Sequence, residues 1–239
     1  ITLKKWLGIP HPCEAPSSIF IGLIGGVGDL ISAAPSLVAL KKKYPYAQIT
    51  FGVGDGIFFN TIKNDPNIDH FETPFFYNVW KKRLRRKVYR EKYREHDLVF
   101  LLDNGTYDWW KPRKHLLDIY AEKCGVSLKE RRPIIYLNDT DCEEAKKKLN
   151  ELGISNNDKF LVLSPETRSK KKMKEWPYDR FLSLIKKIHQ NHDLKIVTLV
   201  SKENPYNYDG TIPLKGYPLG PSAAMISRSN FYLGLDNGL

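Results

Sequence analysis

Apolar residues fall along this chain in short dense runs separated by longer stretches in which they recur every three or four positions. Ile19–Ile24, Gln48–Val53, Leu98–Leu102, Ile134–Leu137, Phe160–Leu163, Lys195–Val200 and Phe231–Leu235 are the dense runs. Each has the length of a strand, and their branched, near-continuous apolar character predicts strands buried on both faces. Between them the spacing becomes helical: Leu30, Ala34, Leu37 and Leu40; Leu116, Tyr120 and Cys124; Tyr178, Phe181, Ile185 and Ile188. Helices are expected over Arg113–Cys124, Cys142–Leu152 and Pro221–Ser227 as well, with Gly125 and Gly153 as stops. Strand alternating with helix predicts an α/β protein with parallel sheets and helices on both faces.

The stretch with the most chemistry in it is Ile19–Pro35. It reads as strand, glycine loop and helix start, with Gly22, Gly25, Gly26 and Gly28 ahead of Asp29. Such a turn offers backbone N–H groups at a helix N-terminus and lets another molecule approach closely. The spacing fits neither a dinucleotide fingerprint, whose third glycine would fall at Ile31, nor a Walker loop, which needs Gly-Lys-Ser/Thr where Gly28-Asp29-Leu30 stands. A carboxylate at this position would repel a phosphate set directly on the helix end. Asp29 therefore reads either as a cap of its own helix or as a group facing a hydroxyl or a cation. Asp55, at the end of the second run, keeps a nicotinamide enzyme open as an alternative. Asp139-Thr140-Asp141 has the form of a metal-binding D-x-D, but its place ahead of a Glu/Lys-rich helix reads as capping.

Charge and composition narrow the picture. The 239 residues are 41% apolar and 12% aromatic, enough for a substantial core, and carry a net charge of +11. That charge implies an anionic partner. It is concentrated in Lys81–Arg94 and in the Arg168–Lys174 loop. In the first of these, Trp80, Leu84 and Val88 recur every four residues, giving a helix with a thin apolar stripe and a cationic surface. This is a solvated face or an acceptor site for something acidic at a membrane surface. Without a helix-turn-helix or RNA-binding signature, charge alone supports a nucleic-acid partner, and none is expected. Cys13, Cys124 and Cys142 fit no metal or disulfide pattern, which favours a reducing compartment. The N-terminal stretch has no signal-peptide core, and no run approaches the roughly 18 apolar residues of a membrane span.

Three stretches in register resemble glycosyltransferase family 9, the ADP-heptose lipopolysaccharide heptosyltransferases. They are Gly28-Asp29 with Pro35, Leu40-Lys41 and Tyr44-Pro45; Lys174-Glu175-Trp176-Pro177 with Phe181; and Asp236-Asn237-Gly238-Leu239. The resemblance spans residues 19–239. It implies a GT-B fold, two Rossmann-like domains facing a cleft: an acceptor-side domain over 1–138 and a nucleotide-sugar-binding domain over 139–239. The second domain reads as C-terminally incomplete, since the chain stops where a loop should hand over to a helix.

What the resemblance implies is an inverting, metal-independent transfer of a heptose-like sugar from a nucleotide diphosphate sugar, ADP-heptose foremost, to a lipopolysaccharide core or related acidic glycan. No cofactor is expected. By position Asp29 becomes the catalytic base and Lys174 the group on the donor diphosphate. Thr167 falls where a hydroxyl meets the same phosphates, Glu203 where an acid holds the ribose, and Tyr217 on the adenine-side loop. Asp236, Asn237, Gly238 and Leu239 would wrap the diphosphate. Acceptor contacts are expected at Gly26, Gly28, Arg85, Arg86 and Arg90. The expected setting is cytoplasmic, with peripheral contact to an anionic inner membrane. A non-catalytic nucleotide-sugar-binding fragment and a nucleotide-binding oxidoreductase stand as alternatives.

Overall fold

The computed structural model describes residues 15–75, 91–102, 114–167, 174–235 and 237. The chain divides into two compact units, Ile1–Tyr136 and Leu137–Leu239, whereas the sequence pattern had set the boundary at 138/139. Tyr136 is held by the first unit: its carbonyl accepts from Asn64 Nδ2 at 3.2 Å and its hydroxyl from Asn67 Nδ2 at 3.3 Å. Leu137 packs on the second unit's core.

In the first unit, β1 (Ser18–Leu23), β2 (Gln48–Gly52), β3 (His70–Glu72) and β4 (Leu98–Leu102) form a parallel sheet in the order β3-β2-β1-β4. Among the described residues the unit's helices include α1 (Val27–Lys43), α2 (Ile57–Ile62) and α3 (Leu116–Cys124). β1 is central and buried, so its side chains divide between two cores. Ile19, Ile21 and Leu23 pack with Leu30, Leu37 and Leu40 of α1 and with Tyr120 and Cys124 of α3. Phe20 points the other way, stacked on Tyr93 with ring centroids 3.7 Å apart, and shares that core with Phe75.

Two glycines make room for Phe75. Gly22 and Gly52 stand opposite each other in the β1–β2 register. A Cβ on Gly22 would lie 2.4 Å from Phe75 Cζ, and one on Gly52 would lie 2.8 Å from Phe75 Cγ and 2.9 Å from Phe20 Cζ. The missing side chains form the slot in which a fully buried aromatic ring lies.

The segment Ile134–Leu137 is a correction to the sequence reading. It forms no strand and joins neither sheet. Its first N–H goes to a helix: Ile134 N donates to Ile31 O at 3.0 Å. That carbonyl is available because Pro35, four residues on within α1, has no N–H to give it. Helix starts also differ by a few residues. α1 begins at Val27, and α4 (Asp139–Glu151) takes in the Asp139-Thr140-Asp141 stretch, with Asn138 Oδ1 accepting Asp141 N at 2.7 Å. The segment is a cap, as its setting in the sequence suggested.

The second unit repeats the first unit's sheet order. β5 (Phe160–Ser164), β6 (Lys195–Val200), β7 (Ile212–Lys215) and β8 (Phe231–Gly234) lie parallel in the order β7-β6-β5-β8. The helices α5 (Tyr178–Asn191) and α6 (Leu219–Arg228) join α4. Phe160 and Val162 of β5 face Ala145, Leu149, Ala224 and Met225, while Leu161 and Leu163 face Phe181 and Ile185. No described helix is long and apolar enough to cross a membrane.

Filling the slot should destabilise the fold. Gly22→Ala is expected to cost about 1–3 kcal/mol through overpacking, read from the urea midpoint, and the cost should shrink in a Phe75→Leu background. An undiminished cost there would mean that the ring is not what the methyl meets.

A second expectation concerns acid. Asp69 bridges the start of β2: it accepts from Ile49 N and from Lys41 Nζ, both at 2.7 Å. Burial alone would raise its carboxyl, but these two donors outweigh burial and hold it below the ordinary 3.8. Its stabilisation is therefore complete above that value and is lost as pH falls through the lower, folded-state pKa. Asp69→Asn should be less stable by about 1–2 kcal/mol at neutral pH, with the gap closing below about pH 4. Stability difference measured by denaturant titration against pH checks it.

Candidate functional site

In an open parallel sheet, ligands bind beyond the carboxyl ends of the strands where the strand order reverses. Each unit has that point at its central strand, between β1 and β4 in the first and between β5 and β8 in the second.

In the first unit β1 runs through Ile24–Gly26 into the N-terminus of α1. Asp29 folds back over that turn. Its Oδ2 accepts Gly26 N at 2.6 Å, and its Oδ1 accepts the hydroxyl of the fully buried Tyr120 at 3.2 Å. Gly25 permits the fold-back, because a Cβ there would come within 2.5 Å of Asp29 Cβ. Gly26 and Gly28 are exposed, and a Cβ on Gly28 would meet nothing within 4 Å. The helix end is thus open to a ligand, while the carboxylate beside it is fixed by donors from two elements.

Asp29 is therefore a cap, and it keeps further chemistry. An ionised carboxylate has about four acceptor positions, and two are used here. The remainder can take a hydroxyl proton. Of the expected acceptor contacts, Gly26 and Gly28 line this turn; Arg85, Arg86 and Arg90 lie outside the described residues.

In the second unit β5 exits through Pro165 and Glu166 to Thr167, which is half-buried. Lys174 is exposed just ahead of α5. Asn237 follows β8, and its Nδ2 donates to Ser164 Oγ at 2.7 Å and to Glu166 O at 2.9 Å. Asn237 thus lies against the segment that leads to Thr167 at the β5–β8 switch point. Asp236, Gly238 and Leu239 lie outside the described residues.

Glu203 is exposed on the turn after β6. Tyr217 stands elsewhere, after β7, with its hydroxyl donating to Glu144 O of α4 at 3.3 Å. Burial pushes its pKa up to about 12, and its ring packs against the core beneath α4 and α6. The ring stays partly exposed on the loop that follows β7.

The acid at the exit of the second unit's central strand is Glu166, which sequence reasoning missed. Its carboxylate accepts from Ser201 N, from Ser201 Oγ at 3.1 Å and from Asn204 Nδ2 at 2.6 Å. The available signal was its position, one residue beyond Pro165 at the end of a buried strand. No group of three or more His, Cys, Asp or Glu among the described residues could hold a metal ion.

Removing the buried donor to Asp29 tests the geometry of the first unit. Tyr120→Phe should cost about 1 kcal/mol and Asp29→Ala about 0.5–2 kcal/mol. The double variant should be little worse than Asp29→Ala alone. Urea midpoints that simply add would show that Tyr120 acts independently of Asp29.

The chain is similar to a glycosyl transferase family 9 protein from Veillonella parvula DSM 2008, with TM-score 0.69 and 19% identity over 93% of this chain and 76% of that one. It is similar to E. coli ADP-heptose LPS heptosyltransferase II, with TM-score 0.61 and 13% identity over 92% and 80%. It is also similar to E. coli heptosyltransferase WaaC solved with ADP-2-deoxy-2-fluoro heptose, with TM-score 0.61 and 14% identity over 92% and 83%. Neither a family model nor a curated protein matches the sequence. At these identities what is shared is the fold, and it is the fold of glycosyltransferase family 9 and of the ADP-heptose heptosyltransferases.

Proposed function

We propose that the protein is an inverting, metal-independent glycosyltransferase that moves a heptose-like sugar from a nucleotide diphosphate sugar, ADP-heptose foremost, to an acidic glycan of the lipopolysaccharide-core type. The reading takes the first unit as the acceptor half and the second as the donor half of a GT-B enzyme. The observation that carries it is the carboxylate of Asp29, fixed by Gly26 N and Tyr120 at an open helix end, within a fold shared with glycosyltransferases of that family.

In this reading the acceptor hydroxyl attacks the anomeric carbon of the donor sugar. A new C–O bond forms as the bond from that carbon to the diphosphate oxygen breaks. The hydroxyl proton passes to Asp29, a contribution of about 10²–10⁴-fold for a placed general base. The departing diphosphate takes the electron pair. Lys174, the Thr167 hydroxyl and the N–H groups after β8 meet the growing charge, each worth about 10²–10³-fold when well aimed. Attack opposite the leaving group inverts the anomeric centre. The cationic run Lys81–Arg94, by its sequence alone, suits an acidic glycolipid and the anionic surface that carries it. A cytoplasmic protein with peripheral membrane contact fits that acceptor.

The test is turnover. Incubation with ADP-heptose and a heptose-deficient lipopolysaccharide core should release ADP and yield a glycan heavier by one heptose. Asp29→Asn, which keeps the shape of the cap, should lower the rate by about 10²-fold or more with the fold intact by circular dichroism. Unchanged turnover in that variant would remove Asp29 from the chemistry. Tight binding of a nicotinamide cofactor without ADP release would favour an oxidoreductase instead.

A further inference from the structure

Asn204 is the junction of the second unit's exit loops. It is 5% exposed, and its polar groups are all engaged. Its Nδ2 donates to Glu166 Oε1 at 2.6 Å, and its Oδ1 accepts Tyr206 N at 2.8 Å. Its carbonyl oxygen accepts Lys215 Nζ at 3.1 Å. The buried Tyr208 lies two residues beyond Tyr206, its hydroxyl pushed up to about 12 chiefly by burial. Through Asn204 the carboxylate of Glu166 is joined to the exits of β6 and to the end of β7.

The same short segment is held from its other flank. Asn237, beyond β8, donates to Ser164 Oγ and to the Glu166 carbonyl. Ser164, Pro165 and Glu166 are the three residues by which the central strand reaches the switch point. Side chains from both neighbouring strands' exits grip them, and Thr167 follows directly.

That grip has an electrostatic side. A carboxylate at the carboxyl end of a central strand stands where the proposed reading brings a diphosphate, and left open it would repel one. Here Ser201 N, Ser201 Oγ and Asn204 Nδ2 all donate to it. Its oxygens are occupied by donors from the β6 exit, which ties the exit segment of β5 to its neighbour. Order established in advance lowers the cost of binding.

We propose that Glu166, through Asn204 and together with Asn237, is a positioning residue of the nucleotide-sugar site: the clamp fixes the β5 exit so that Thr167 is presented to the donor's diphosphate. This rests on the donor reading given above. None of the three side chains needs to touch the sugar or the base.

ADP is the probe, titrated calorimetrically into the full chain, with UDP and GDP as companions. Glu166→Gln turns an amide N–H toward groups that are themselves donors. Asn204→Asp sets a second carboxylate against Glu166. Both should weaken ADP by about tenfold or more, the effect of losing one charged hydrogen bond, while unfolding stays cooperative. The amide of Thr167 should exchange faster in both variants without ligand. For Asn204→Asp the deficit relative to the parent should shrink between pH 8 and pH 5.5, because two facing carboxylates share a proton as pH falls. Asn237→Ser, which keeps the loop composition, serves if either variant fails to fold. ADP affinity and Thr167 exchange unchanged in folded variants would overturn the clamp while leaving the donor reading intact. A parent chain that binds none of ADP, UDP or GDP would overturn the donor reading and the clamp's role with it.

Discussion

The constraint on which this protein is built is the fate of a parallel strand buried on both faces. Such a strand cannot turn back on itself; it must pass its chain to a helix that returns over the sheet. β1 does this through Ile24–Gly26 into α1, and β5 does it through Pro165–Thr167 toward α5. The handover leaves unpaired N–H groups at the helix start and a gap beside the reversed strand. Chemistry collects there because the backbone has polar capacity at that place that the rest of the core has used up. The two units solve the problem with the same strand order and with different side chains, a folded-back Asp29 in one and a clamped Glu166 in the other.

How much of this was legible follows from how local each cause is. The apolar runs became β1, β2, β4, β5, β6 and β8; in β1, β5 and β6 burial on both faces writes itself into consecutive residues, whereas β8, at the sheet edge, keeps Phe231 and Tyr232 exposed against that expectation. The glycine loop and Asp29 were visible for the same reason, lying within one strand and one helical turn. Short elements left no such trace: β3 has three residues, α2 six and β7 four. Ile134–Leu137 had a strand's composition, and its partner decided otherwise. A proline ninety-nine positions upstream leaves a carbonyl that a ladder would have had to supply. Composition fixes what a segment prefers to bury, while its hydrogen-bond partner is settled by distant chain.

The polar parts of the sites show the same limit. Tyr120 reaches Asp29 across 91 positions, Asn204 reaches Glu166 across 38, and Asn237 reaches Ser164 across 73. Nothing in the neighbourhood of any one of them marks its partner. Their spacing is a property of the sheet order, which brings the exits of non-consecutive strands side by side. Asp29 could be named from sequence, but its second support could not. Tyr217 could be placed on a loop, while its commitment to the Glu144 carbonyl needed the packing of α4 beneath it.

Pro35 is usually the kind of residue that ends a helix. In α1 it leaves the helix running and withholds one donor, so that a main-chain acceptor in the helix's second turn is left without its usual i+4 partner. Ile134 occupies it. The proline thus acts as a reservation: any residue with an N–H at position 35 would close the socket from inside and leave the connector at 134 to compete for it. A connector docked in that way is specified by an imino acid that offers it no hydrogen bond. Its attachment is coded as a missing atom, which a comparison of side-chain types would pass over.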